Sequence, residues 1–169
     1  MNQSQKLLVE DWFRRARESQ YIHYASAERY SLLNYWLGIP STILSAVVGA
    51  AVFSSIESEA IGEFKIFLGL ISILSAVLTA LNTFLGLAEL SEKHRAAAAN
   101  YSSIRKTLER IKTSEESYKV DFDKKMASLQ KDFDSLAKNS PNPPRGVSKS
   151  VLSRLKSKDH KRVFTIPAR

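Results

Sequence analysis

The side chains that most often carry out chemistry in proteins are few and scattered in this chain. It contains no cysteine, which excludes a thiol nucleophile, a disulfide framework and a cysteine-ligated metal site. Its three histidines, His23, His94 and His160, lie far apart and lack the spacing of metal ligands. No glycine-rich phosphate loop and no Ser/His/Asp arrangement occurs. We therefore expect a protein that is not an enzyme and that needs no cofactor or metal.

Small and hydroxyl-bearing side chains instead recur at helical spacing inside two apolar runs. Such residues let helices approach closely in lipid and hydrogen-bond across the contact. They also suit the wall of a pore, which needs several copies of a chain with only two spans. Helix packing and pore lining are compatible, so both interpretations stay open. They apply to Ser41, Ser45, Gly49, Ser72, Ser75, Thr79, Asn82 and Thr83.

The two apolar runs organise the rest of the chain. Residues 35–56 and 66–88 form stretches of 22 and 23 residues without a charge. A helix of about 20 apolar residues crosses a bilayer core, so each run predicts one transmembrane span. Residues 57–65 form a short outer loop between them. A soluble core helix would carry a polar stripe toward water, and neither run supplies one.

Basic residues near the span ends predict the orientation. Six of them precede the first span or follow the second, and the loop between the spans holds only Lys65. Because positive residues favour the cytoplasmic side, we expect both termini in the cytoplasm. Tyr30, Tyr35 and Trp36 stand where an aromatic belt would mark the interface.

The flanking segments predict helices outside the membrane. Residues 1–34 form an amphipathic helix with an inward stripe at three- and four-residue steps. Residues 89–137 form a helical hairpin whose first helix continues unbroken from the second span. Thr113 and Glu116 form a capping box that starts the second helix. The inward stripe of residues 1–34 is Leu8, Trp12, Ala16, Ser19, His23, Ala27 and Tyr30. The first helix of the hairpin has a coiled-coil seam formed by Leu90, His94, Ala97, Tyr101, Ile104, Leu108 and Ile111. The inward stripe of the second helix is Tyr118, Phe122, Met126, Leu129, Phe133 and Leu136.

Residues 138–169 form a proline-containing linker and a basic tail. From Glu89 onward the chain has 19 Lys and Arg against 10 Asp and Glu. Such an excess favours contact with anionic lipid or with a phosphorylated ligand, and a loose tail on the positive side of a membrane explains it equally well. The residues that we would test for ligand binding are Arg105, Lys106, Arg110, Arg154, Lys156, Lys161 and Arg162.

The order of these features resembles a known family. The aromatic entry with Pro40, the close two-span hairpin and the run EKHRAAAANYSSIRKTLERI at 92–111 look like the SLATT family, the SMODS- and SLOG-associating two-transmembrane effector domain. The resemblance covers residues 1–137, and its most specific part is His94, Tyr101 and Leu108. The motif is not catalytic.

The resemblance implies a membrane effector of a bacterial anti-phage conflict system. Such proteins are thought to oligomerise and to permeabilise the inner membrane during abortive infection. The implied partners are other copies of the chain, membrane lipid, and a nucleotidyltransferase or its nucleotide or oligonucleotide product, which would gate the pore.

The predicted fold class is an all-α membrane protein: a two-span transmembrane helical hairpin with a cytoplasmic helical bundle or coiled-coil domain. Two other functions compete with the pore. A membrane-anchored scaffold would recruit a soluble partner without conducting ions. A soluble helical bundle that binds nucleic acid would leave the membrane without detergent, and the length of the apolar runs opposes it.

Overall fold

The computed structural model describes residues 3–57, 62–113 and 121–159, and every regular element in these ranges is an α-helix. This confirms the all-α prediction for the described residues. Two apolar stretches, within Gln3–Ser54 and Lys65–Thr113, are long enough and apolar enough to cross a membrane. The helices in chain order are α1 (Gln3–Glu57), α2 (Gly62–Leu85), α3 (Leu87–Thr113), α4 (Phe122–Asn139) and α5 (Arg145–Asp159).

The helices divide between two compact units. Unit 1 combines Met1–Glu28 with Glu92–Arg169, and unit 2 is Arg29–Ser91. Most of α3, α4 and α5 therefore belong to unit 1 together with the first half of α1. Unit 2 is a helical hairpin made by the second half of α1 and by α2.

The predicted N-terminal helix and the first span are parts of one helix. α1 runs for 55 residues and contains Pro40 in its interior. Proline has no N–H, so the carbonyl of Trp36, four residues earlier, loses its helical partner. The hydroxyls of Ser41 and Thr42 donate to the neighbouring Gly38 carbonyl at 3.0 and 2.8 Å.

The predicted unbroken helix from the second span into the following segment is wrong. Gly86 separates α2 from α3 and has a φ of 54°, the only positive φ among the described residues. Glycine adopts this left-handed conformation without the Cβ clash that other residues suffer. The Leu90 N–H donates to the Gly86 carbonyl at 3.0 Å, so helical bonding resumes at once.

Unit 1 has an apolar core built by three helices. The coiled-coil seam of α3 is confirmed from His94 to Ile111, and within the chain it packs against both α1 and α4. The predicted stripe of α4 is also confirmed, since Phe133 and Leu136 pack against its buried residues. The buried core residues are Val9, Ala16, Ile104, Leu108, Ile111, Phe122, Met126 and Leu129.

Three local predictions need correction. The inward stripe of α1 passes through Val9, which is buried, whereas Leu8 is 42% exposed. Thr113 ends α3 and its hydroxyl donates to the carbonyls of Glu109 and Arg110, so it does not cap α4, whose described part begins at Phe122. The predicted linker and basic tail contain a helix, since α5 begins directly after Pro144 and buries Val147 and Val151.

Several predicted features lie outside the described residues. These are residues 58–61 of the outer loop predicted at 57–65, Glu116 of the predicted capping box, Tyr118, and the basic residues Lys161 and Arg162. The other residues of the predicted loop belong to α1 and α2.

Candidate functional site

Serine side chains join the two helices of unit 2. Ser75 of α2 donates to the Ser41 carbonyl of α1 at 3.2 Å, and the Ser45 and Ser75 hydroxyl oxygens lie 2.7 Å apart. Because the Ser75 proton goes to the carbonyl, the Ser45 hydroxyl must donate to Ser75. Ser41 and Ser75 are buried where the two antiparallel helices meet. This part of the predicted polar face is therefore interhelical packing.

Asn82 lies at the same contact between the helices, nearer to the end of the hairpin where the chain enters and leaves unit 2. Its amide nitrogen is 3.5 Å from the point where a Cβ on Gly38 would stand, so the glycine admits the amide. The Asn82 Oδ1 atom is buried and has no hydrogen-bond partner among the described residues. An unpaired amide is costly in lipid. Ser72 is half-buried on the same face of α2.

The other predicted residues point away from the contact between the helices. Thr79 and Thr83 are exposed, and their hydroxyls donate to the carbonyls one turn earlier, of Ser75 and Thr79. Gly49 is exposed, and a Cβ added to it would meet nothing within 4 Å. Packing inside one chain thus explains none of these three positions.

These outward residues lie on one side of the hairpin. Successive residues of a helix are rotated by about 100° around its axis. Measured from the middle of the buried face of each helix, the outward residues lie at rotations between about 40° and 140°. The direction of this rotation is the same on both helices. Two antiparallel helices that face each other place the same rotational direction on the same side. We call this the small side, and its members are Thr42, Ser45, Gly49, Gly69, Ala76, Thr79 and Thr83.

The opposite side of the hairpin carries large apolar side chains. All of them are at least 43% exposed within the single chain. The hairpin is therefore divided by side-chain size and by hydroxyl content rather than by charge. This bulky side consists of Ile43, Val47, Phe67, Leu70, Leu74, Leu81 and Leu85.

Unit 1 contains a second arrangement of polar side chains, centred on two histidines. The Nδ1 atoms of His23 on α1 and His94 on α3 lie 2.9 Å apart, and both residues are buried. Burial, together with the neighbouring His94, lowers the pKa of His23 to about 4. Burial also lowers the pKa of His94. Both rings are therefore neutral near pH 7.

Tyr101 connects the histidines to α4. Its ring stacks on His23 with centroids 5.5 Å apart, and it lies 6.1 Å from the Phe133 ring. Ser140, directly after α4, hydrogen-bonds to Tyr101, and burial raises the pKa of the Tyr101 hydroxyl. Trp12 packs edge-on against Phe133 at 5.7 Å. A series of ring contacts thus crosses all three core helices.

The family-like residues therefore have structural surroundings in common. His94, Tyr101 and Leu108 are all buried on one face of α3. Sequence reasoning placed His94 in a packed seam, which is confirmed, but it missed His23 as the partner. The available signal was the inward stripe of residues 1–34, in which His23 already stood.

The described basic candidates lie on two helices. Arg105, Lys106 and Arg110 stand on α3, whereas Arg154 and Lys156 stand on α5. Arg105 is half-buried and the other four are exposed. Described groups of three or more potential metal-ligating side chains are absent.

Comparison of the chain with known protein families, with curated proteins and with solved structures finds no match.

Proposed function

We propose that this chain is a pore-forming effector of a bacterial anti-phage conflict system, acting as a homo-oligomer in the inner membrane. In this proposal residues 35–56 and 66–88 cross the bilayer, and unit 1 and both termini lie in the cytoplasm. A nucleotide or oligonucleotide from a partner nucleotidyltransferase gates the pore. The resemblance to the SLATT family, carried by His94, Tyr101 and Leu108, supports this assignment.

Exposure of the apolar helices supports insertion in a membrane. Only 6% of each apolar window is buried within the chain. The core helix of a soluble bundle would bury most of such a window. Large apolar patches that stay exposed mark contact with a membrane or with another protein. Tyr35 and Trp36 are 59% and 71% exposed at the start of the first run, as residues of an interfacial belt would be.

The small side of the hairpin is the observation that carries the pore. Thr79 and Thr83 present hydroxyl oxygens that hairpin packing does not use, and two glycines on the same side of the hairpin, Gly49 and Gly69, leave open space. The bulky side offers a surface suited to lipid. Two helices cannot enclose a conduit, so several copies would turn their small sides inward around a closed rotational axis.

Membrane potential in living bacteria tests this function. A voltage-sensitive dye would report on the wild-type chain and on a Thr79→Leu/Thr83→Leu variant, each with and without a coexpressed candidate nucleotidyltransferase. We expect the wild type to depolarise the membrane and the variant to do so much less. An Ile73→Leu/Val77→Leu variant, changed away from the small side, should behave as the wild type.

The same experiment separates the pore from the scaffold. With equal amounts of protein confirmed in the membrane, absence of depolarisation in every condition would contradict the pore and favour a membrane-anchored scaffold. Equal depolarisation by the wild type and the Thr79→Leu/Thr83→Leu variant would show that the small side does not line the conduit.

A further inference from the structure

The contact between His23 and His94 has a fixed proton requirement. A hydrogen bond between two Nδ1 atoms 2.9 Å apart needs one nitrogen that carries a proton and one that does not. Two neutral rings satisfy it as opposite tautomers. A first added proton keeps the bond but places a charge in a buried seam, and a second brings two N–H groups face to face. The two rings therefore titrate as a coupled pair.

Burial of the pair opposes a positive charge. His23 and His94 are 5% and 0% exposed. The neighbouring His94 ring lowers the pKa of His23, and Arg15 of α1 and the neutral Ser140 after α4 act on Tyr101 beside it. Arg15 is itself positive. Stacking on the Tyr101 ring favours a cation, but it does not replace the water that burial removes.

The pair also joins the two helices that lead out of unit 1. His23 lies five residues before the end of the first segment of unit 1, Met1–Glu28. His94 lies two residues after the start of the second segment, which begins at Glu92. α1 and α3 both extend beyond these limits as helices. The shared hydrogen bond is thus a direct polar link between them near the point where they leave unit 1.

We propose that the His23–His94 contact is a protonation-sensitive clamp, which holds α1 against α3 when both rings are neutral and releases them when the pair takes up protons. The clamp is a property of unit 1 and does not depend on whether the hairpin conducts ions. Acidification of the solution around unit 1 is the signal that opens it.

The pH range follows from the two states of His23. Its pKa is about 4 in the closed state and 6.5 when it is open to solvent. Since the open state binds protons more tightly, acid favours opening below pH 6.5 until the closed state also titrates near pH 4. Between pH 7 and pH 5 the opening equilibrium constant should rise about 20-fold through His23 alone. His94, whose pKa is also lowered, adds to this rise.

Hydrogen exchange of the full chain in lipid nanodiscs tests the clamp. Protection factors, which are corrected for the intrinsic pH dependence of exchange, would be measured at pH 7 and pH 5 for backbone amides around His23 and His94. We expect the wild type to lose protection by about 20-fold or more. A His23→Gln/His94→Gln variant, whose amides do not titrate, should lose less than about threefold.

Two further variants keep the test decisive. His160→Gln removes the third histidine and should retain the full loss of protection. If the double variant does not fold, the single His23→Gln variant removes the ring with the known pKa, and its loss should fall well below that of the wild type. A wild-type loss below about threefold, or an equal loss in the variants without His23, would overturn the clamp.

Discussion

Ser75 links the two helices of the apolar hairpin. It is buried, it donates to the Ser41 carbonyl, and it accepts a hydrogen bond from Ser45. The sequence predicted that these serines lie on helix faces suited to contact, because their spacing is helical. It left open whether they face a helix or a conduit, since periodicity defines a face but not its partner.

Replacement of Ser75 should weaken the hairpin. In Ser75→Ala both interhelical hydrogen bonds are lost, which should lower stability by about 1 kcal/mol, as interhelical hydrogen bonds in membranes contribute modestly. Unfolding in mixed detergent micelles would measure this. Ser72→Ala is the matched control, because Ser72 lies on the same face without a described hydrogen bond, and it should change stability by less than about 0.5 kcal/mol. Equal effects of the two substitutions would contradict the assigned role.

Leu108 should be a main source of stability in unit 1. It is fully buried in the core formed by α1, α3 and α4. Leu108→Ala leaves a cavity and should lower the free energy of unfolding by about 2–5 kcal/mol. Leu7→Ala, at a position 61% exposed on α1, should change it by less than about 0.5 kcal/mol. Chemical denaturation of the full chain in detergent would report both values, and a similar small effect at Leu108 would contradict the described core.

The histidine contact marks the limit of residue-level prediction. The positions 23 and 94 each fell on a predicted inward stripe, and both are buried. The two residues are 71 positions apart in the sequence, and whether they come into contact depends on the axial register of α1 against α3. Three- and four-residue spacing does not fix that axial register, since every turn of a stripe offers a similar apolar surface.

At the scale of elements, charge-free length and periodicity predicted the helices but misplaced some of their ends. Apart from Gly86, both apolar runs are helical where described, and the seam of α3 lies where expected from His94 to Ile111. The union of residues 1–34 and the first span in one helix was not predicted, although Pro40 already lay inside the predicted span. The break at Gly86 was also missed, because glycine is common in membrane helices and the apolar pattern continues on both sides of it.

The break at Gly86 can be tested by substitution. Gly86→Ala should destabilise the chain by about 1–2 kcal/mol, because an alanine with a φ of 54° is strained. The cause is conformational, since the nearest side-chain atom to an added Cβ is a Glu89 oxygen at 3.9 Å, an ordinary contact. Thermal unfolding in detergent would measure the loss.

Gly69→Ala provides the control for that prediction. An added Cβ at Gly69 meets nothing within 4 Å, and alanine is the better helix former. We therefore expect unchanged or slightly raised stability in the monomer. A neutral Gly86→Ala would mean that α2 and α3 join without a left-handed residue.

At the scale of the whole molecule, the chain combines an apolar hairpin with a basic helical unit. Composition predicted this division, since the charge-free runs contrast with the excess of Lys and Arg from Glu89 onward. Composition did not predict that α1 takes part in both units. The small and bulky sides also required the structure, because they are defined relative to the buried face of each helix.

Water accessibility of the small side tests the central claim that it lines a conduit. The chain has no cysteine, so Thr79→Cys and Val77→Cys each create a single reactive thiol without further changes. Both positions are exposed in the single chain and lie two residues apart on α2. In intact membranes, a charged thiol reagent that does not cross lipid should modify the Thr79→Cys variant readily and the Val77→Cys variant very slowly. Equal modification of both, or slower modification at position 79, would contradict a conduit lined by the small side.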